Sequence, residues 1–286
     1  MKKLIALVLC LLALVALPAY ASFTVNSAVG SMVPATSNTA TISIAAGHSA
    51  VCFIEAESNG AAVPGIASGT MADSGGNSYT IGNNAAIFGS RIAAMAYSLG
   101  LASSVTSITF TPTVSSGTIN YVKLVCWDIS ATGTIFAHSS AAVGYPGNAP
   151  SGANAVTTGS LSIGSTDGLI LAGLTDDSNT GSAVGTGFTK DYDNGNQLLL
   201  GEHQAVTAST AATFTAAALN DQILIAGVAL QVGGSTCTHS GYTSGGAIAT
   251  PNGTSGSYVG KTGGLVTPDC STVNYWQPTV GNFGTN

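Results

Sequence analysis

Charge is the scarcest commodity in this sequence. Asp, Glu, Lys and Arg together supply 6% of the 286 residues, against about a quarter in an average soluble domain. Salt-bridge networks and electrostatic steering are thereby excluded as organising forces, and Ser, Thr, Asn and Gly must solvate most of the surface. Aromatic residues are also few, at 7%, which is thin for a cleft that stacks sugars on rings. No stretch after residue 21 combines a 3.6-residue apolar period with charges and caps, so helices are not expected. The chemical motifs are missing too. There is no G-x-S-x-G elbow for a serine hydrolase, no H-E-x-x-H and no C-x-x-C, which removes the commonest hydrolase and structural-zinc signatures. His48, His138, His203 and His239 stand far apart and read as loop or strand-surface residues rather than metal ligands.

What is present begins with the N-terminus. Lys2 and Lys3, the apolar run Leu4–Leu17 and then Pro18-Ala19-Tyr20-Ala21 follow the order of a secretory signal, with cleavage expected after Ala21. The apolar run is shorter than the roughly 20 residues a spanning helix needs, and Cys10 lies inside it rather than behind it, so neither stable membrane insertion nor lipidation is expected. Removal of residues 1–21 leaves Arg91, Lys123, Lys190 and Lys261 against twelve acidic residues. Nucleic acid is a poor partner for such a chain. The expected location is secreted or at the cell surface.

Four cysteines remain: Cys52, Cys126, Cys237 and Cys270. An even number in an exported chain favours disulfides, with three possible connectivities. Cys52 and Cys126 lie in apolar strand-like runs and Cys237 and Cys270 bracket a glycine-rich tail, so the expected pairs are 52–126 and 237–270. Two buried free thiols are the alternative for the first pair.

Short runs rich in Val, Ile, Thr and aromatics recur between Gly, Ser, Asn and Pro clusters, as in a β-sandwich or barrel. Strands are expected near Phe23–Val29, Ala40–Ala45, Ala50–Ala56, Arg91–Leu99, Val105–Thr111 and Asn120–Ile129. A second set is expected near Gly159–Ile163, Gly168–Thr175, Phe188–Asp193, Asn196–Val206, Ala211–Ala216 and Gln222–Val232. Val51–Ile54 and Ile223–Ala226 are apolar on both faces and so should run centrally in a covered sheet. Asn194-Gly195 predicts a type I′ hairpin, and Asp73-Ser74-Gly75-Gly76-Asn77 a second turn leading to a strand at Ser78–Ile81.

The halves also look alike. Glu57-Ser58-Asn59 and Asp177-Ser178-Asn179 each follow an apolar run, and Thr109-Phe110-Thr111 matches Thr213-Phe214-Thr215. The expected fold is an all-β, jelly-roll-like antiparallel sandwich with pseudo-duplicated halves interleaved in it, over residues 22–232. Residues 233–286, dominated by Gly, Ser and Thr, read as a small disulfide-looped appendage, in which Asn252-Gly253-Thr254 is a plain turn.

Asp73-Ser74-Gly75-Gly76-Asn77-Ser78-Tyr79, Gly187-Phe188-Thr189 and Ile225-Ala226-Gly227-Val228-Ala229-Leu230 resemble a loose group of largely uncharacterised β-sandwich proteins, secreted or associated with phage tails. The resemblance runs from Thr41 to Val232 and implies a fold but no catalytic residue. A tail-fibre role would suit that fold, whereas the N-terminal signal points to a bacterial envelope or extracellular setting.

Three clusters bear on function. Glu55 and Glu57, two apart on a strand, share one face at about 6.5–7 Å, the separation at which glycosidase carboxylates act. Against that, Glu57 reads simply as the end of a strand. Asp191-Tyr192-Asp193-Asn194-Gly195-Asn196, with Glu202 behind it, looks superficially like a calcium loop, but its glycine comes one place too early for an EF-hand. The turns carrying Glu57, Asn59, Asp176, Asp177 and Asn179 offer short acids beside amides, suited to sugar hydroxyls or to calcium, the one ion worth considering where no cofactor is otherwise expected. The resulting expectation is a non-enzymatic surface-recognition or structural module binding a glycan or cell-envelope polymer. The alternatives are a secreted glycoside hydrolase using Glu55 and Glu57, and a self-assembling extracellular protein.

Overall fold

The computed structural model describes residues 23–59, 64–87, 90–114, 116–164, 167–177, 181–196, 198–216 and 221–232, with three short segments beyond. Its regular structure is almost wholly strand, and the one helical turn among the described residues is a 3₁₀ turn at Ser68–Thr70. The chain divides into two compact units, residues 1–232 and 233–286.

The first half of the larger unit supplies β1 (Thr24–Val33), β2 (Asn38–Ala40), β3 (Ser49–Ser58), β4 (Met71–Asp73), β5 (Thr80–Ile87), β6 (Arg91–Ser98), β7 (Ile108–Phe110) and β8 (Ile119–Ser130). The second half supplies β9 (Ile135–Ala149), β10 (Gly152–Leu161), β11 (Gly168–Asp176), β12 (Ala183–Val184), β13 (Thr189–Asp193), β14 (Leu199–Val206), β15 (Thr210–Ala216) and β16 (Asp221–Val232). The large sheet of the first half has the order β1-β8-β3-β6-β5, and that of the second has β9-β16-β11-β14-β13. The small sheets are β2-β7-β4 and β10-β15-β12. Each of these eight strands of the first half therefore has its counterpart eight places on, in the same position of an equivalent sheet. The duplication is real, but the halves are not interleaved. Every sheet is built from one half only, because neighbouring elements pair before distant ones. Each half splits these eight strands five and three, and the first half adds a two-stranded ribbon of Pro64–Gly65 with Thr113–Val114 that has no counterpart among the described residues of the second.

Three apolar seams hold these sheets as four layers. Ala40, Met71, Ile108 and Phe110 of the first small sheet pack on Cys52, Ile54, Leu124 and Cys126. The opposite face of the same large sheet, through Phe53, Met95, Val125 and Trp127, packs on Leu169, Leu171, Leu224 and Val228 of the second large sheet. The second half repeats the inner arrangement, with Val156, Ala212 and Phe214 over Ile170, Leu174 and Ile225. Both large sheets are covered on both faces, which is why Val51–Ile54 and Ile223–Ala226 carry apolar residues without alternation. Cys52 and Cys126 face each other in register on β3 and β8 and are joined by a disulfide.

Each edge strand of the large sheets carries extra residues that break its ladder: at Asn26 in β1, between Ile81 and Asn84 in β5, at His138 in β9 and at Asp191 in β13. The pairings of β3 with β6 and of β11 with β14 and β16 run unbroken. Such bulges bend an edge out of pairing range. Lysines can do the same, and only one, Lys190 on β13, lies on these four edge strands.

One turn and one strand start differ from expectation. The Asn194-Gly195 hairpin forms, but β13 stops at Asp193 and β14 starts at Leu199. Gly195 alone takes a positive φ, of 83°, while the Asn194 side chain accepts from the N–H groups of Asn196 and Leu198, making a longer turn than type I′. The turn after Asp73 forms as expected: its Oδ1 accepts from the N–H groups of Gly75 and Asn77, and Gly76 has a φ of 73°. The strand after it begins at Thr80 rather than Ser78.

In the C-terminal unit Tyr242–Thr243, Ala247–Ala249 and Ser255–Ser257 make a small antiparallel sheet. The expected 237–270 disulfide lies outside the described residues.

Candidate functional site

The central strands β3 and β11 lie face to face, with Phe53 over Gly173, and both reach the same end of the seam. There the sequence places Glu55 and Glu57 on one and Thr175 and Asp177 on the other. Alternation points Glu55 and Thr175 into the seam. Glu55 is 0% exposed. Arg91, diagonal to it on β6, donates from Nε to Glu55 Oε1 at 3.0 Å, and Lys123, directly opposite on β8, holds Nζ at 3.4 Å from Oε2. The second half closes the cluster. Thr175 Oγ1 accepts from Arg91 at 3.1 Å and from Lys123 at 2.7 Å, and the Gln222 carbonyl accepts from Arg91 at 3.2 Å.

Two of the four basic residues beyond residue 21 are thus spent in the core, on one carboxylate. Burial pushes the Lys123 amine below its usual range and Arg91 pushes it further, with Glu55 and Glu57 opposing. Burial also works against the Arg91 charge, but Glu55, then Glu57 and Asp177, hold that guanidinium above its usual value. The influence of both Glu57 and Asp177 on Arg91 puts the two sequence-matched acids around one cation, at the rim of the seam.

The remaining expected site residues are used locally. Glu57 is half-buried, across from Arg91 and Tyr121. Asn59 is exposed and caps a turn, its Oδ1 accepting from the Thr118 N–H and its own N–H bonding the Thr118 carbonyl. Asp177 is exposed, with Oδ1 accepting from the Gln222 N–H at 3.2 Å. Asp176 does not join it. It is buried on the other face of β11, where Ser182 donates to Oδ2 at 2.7 Å, because neighbouring strand residues point to opposite faces. Asn179 lies outside the described residues. The structure therefore brings together Glu57, Asp177 and Arg91, with Glu55 and Lys123 beneath them.

The calcium-like run is also engaged elsewhere. Asp191 accepts from Trp127 Nε1 and pairs with His203 Nδ1, both at 2.7 Å. Asp193 accepts from Lys190 and from the Gly195 N–H. Glu202 is buried beside Gly185, whose N–H donates to Oε2 at 2.9 Å, while Oε1 accepts no hydrogen bond among the described residues. Burial, foremost, drives the Glu202 carboxyl up to about 9. No cluster of three His, Cys, Asp or Glu side chains among the described residues is disposed to hold a metal.

Sequence spacing concealed one arrangement. His48 and His203 each pair Nδ1 with a carboxylate, Asp128 at 2.8 Å and Asp191 at 2.7 Å. The Asp128 partner lies 80 residues away in the chain, so no local motif could have shown it.

Neither a protein-family model, nor a curated protein, nor a solved structure matches this chain, and the reading of its site rests on its own geometry.

Proposed function

We propose that the chain acts outside the cell as a non-enzymatic recognition module for hydroxyl-rich surfaces, a glycan or cell-envelope polymer being the intended partner. The carrying observation is the fate of Glu55. The inner member of the Glu55/Glu57 pair is fully buried between Arg91 and Lys123, so that carboxylate is withdrawn from any substrate at the rim. Hydrolysis by that pair has no second carboxylate to use.

Three further features support the reading. A four-layer scaffold is rigid enough to present loops, and loops are where such folds bind. A surface poor in charge suits neutral polymers better than ionic ones. The 52–126 disulfide accords with an oxidising compartment, as does the order of zones at the N-terminus. The interrupted edge strands argue against a self-assembling protein that grows by edge pairing.

The test is retention on bacterial and plant polysaccharides and on a glycan array, run beside a reducing-sugar assay. Binding without sugar release is the expected result, and weakening on Glu57→Ala with Asp177→Ala would assign it to this rim. Sugar release that vanishes in Glu55→Gln would replace the reading with the hydrolase.

A further inference from the structure

The end of the seam opposite Glu57 and Asp177 holds a second feature. Where β3 begins, β6 ends and the two halves are joined, residues 47–49, Leu99, Gly100 and 130–135 line an open cleft of about 520 Å³. That volume falls within the roughly 300–1,000 Å³ of small-molecule sites. Because residues 131–134 are the link between β8 and β9, the cleft exists only where the halves meet.

We infer that this cleft is a binding site for an uncharged sugar, with His48 as its fixed polar anchor. The inference rests on the recognition reading above and names a separate place and ligand class for it.

The ligand's charge follows from the lining. No Asp, Glu, Lys or Arg contributes to it, and His48 is the one titratable side chain there. A charged ligand would lose its hydration and find no counterion. The polar groups are of the kind sugar hydroxyls require: Ser130, Thr132 and Thr134 carry hydroxyls that donate or accept. The glycines leave backbone within reach, and a side chain added at Gly47 or Gly100 would meet nothing within 4 Å. Leu99 and Ile135 supply apolar wall for the C–H faces of a ring.

His48 is held in place before any ligand arrives. Its Nδ1 lies 2.8 Å from Asp128 Oδ1 and 3.4 Å from Asn26 Nδ2, which fixes the ring, and Nε2 has no hydrogen-bond partner among the described residues. The walls are fixed as well. Gly47 N–H bonds the Leu101 carbonyl at 2.8 Å, Leu101 N–H bonds the His48 carbonyl at 2.7 Å, and Gly100 N–H bonds Ser49 Oγ at 3.1 Å. Asn26 ties the floor of the join by donating to Ser130 Oγ at 3.1 Å. A site whose donors are already aimed loses less entropy on binding.

The experiment is saturation-transfer NMR on the purified protein with a panel of neutral oligosaccharides, an anionic uronate oligomer serving as the contrast. At least one neutral oligosaccharide should give saturable transfer. Thr132→Trp, an exposed substitution that fills the cleft, should weaken it about tenfold, and His48→Ala should do likewise. The inference is overturned if no neutral oligosaccharide saturates, if the uronate alone does, or if Thr132→Trp binds like wild type with its melting temperature intact. Polysaccharide retention that survives Thr132→Trp but is lost in the Glu57/Asp177 double variant would overturn the cleft and leave the module reading standing. Loss of all polymer retention would remove both.

Discussion

Arg91 Nε and Glu55 Oε1 sit 3.0 Å apart across neighbouring strands, with both side chains buried. Glu55 is shared with Lys123, so its loss strands two cations at once. A buried ion whose partner is removed costs about 3–5 kcal/mol. Glu55→Gln should lower stability by that amount in urea unfolding, whereas replacing Glu55, Arg91 and Lys123 together with apolar residues of similar volume should recover most of it. A loss below about 1 kcal/mol for Glu55→Gln would mean that water reaches the cluster.

Glu202 should make stability fall as pH rises. Its carboxyl is neutral in the fold up to about 9 but ionises from its ordinary value near 4.5 once the chain unfolds. Between those limits the folded state binds more protons, so the slope of stability against pH is negative. The cost at pH 7 is on the order of 3 kcal/mol. Glu202→Gln keeps an acceptor for the Gly185 N–H and removes the ionisation. Thermal melts from pH 5 to 9 should show a flatter dependence for the variant and a higher melting temperature at pH 8.

The 52–126 disulfide closes a loop with a sequence separation of 74. On the chain-entropy account its removal costs about 4 kcal/mol. The variant Cys52→Ala with Cys126→Ala should show that loss in denaturant unfolding, and reductant should destabilise the wild type but not the variant.

Gly173 should tolerate no side chain, since a Cβ there would lie 2.1 Å from the Phe53 ring. Gly173→Ala should cost about 1–3 kcal/mol through overpacking, and adding Phe53→Leu should restore part of it. Equal stability of the single variant and the wild type would show that the two large sheets are not packed this closely.

Much of this was legible in the residues, and the misses have physical causes. The central strands announce themselves because both faces of β3 and β16 are covered and their middles, Ala50–Ile54 and Ile223–Leu230, carry no polar side chain. The long edge strand β9 does not: Ile135–Ala149 alternates weakly, contains Pro146 and buries only its last residue. Strand β4 is three residues long and β12 two, too short for any period to show. Although Ser178 and Asn179 lie outside the described residues, the repeated acids Glu57 and Asp177 do fall at equivalent strand ends. They could not show that Asp176 turns inward, or that Glu55 would find two cations from strands 36 and 68 residues further along. Linear spacing carries no record of which face a distant sheet will cover.

Positions 53 and 173 are counterparts in the two halves, and they touch. In a symmetric pair of identical halves, such an on-axis position must carry the same residue twice, and two phenylalanines would collide where one now rests on a glycine. The pairing of a ring with a bare backbone is open only to copies joined in one chain, where each can change without the other. The same holds two residues on, where Glu55 of one half meets Thr175 of the other instead of a second carboxylate. Linkage in a single polypeptide has thus released this seam from self-complementarity, and a half expressed alone, exposing Phe53, Val125 and Trp127, would find no correct partner in a second copy of itself.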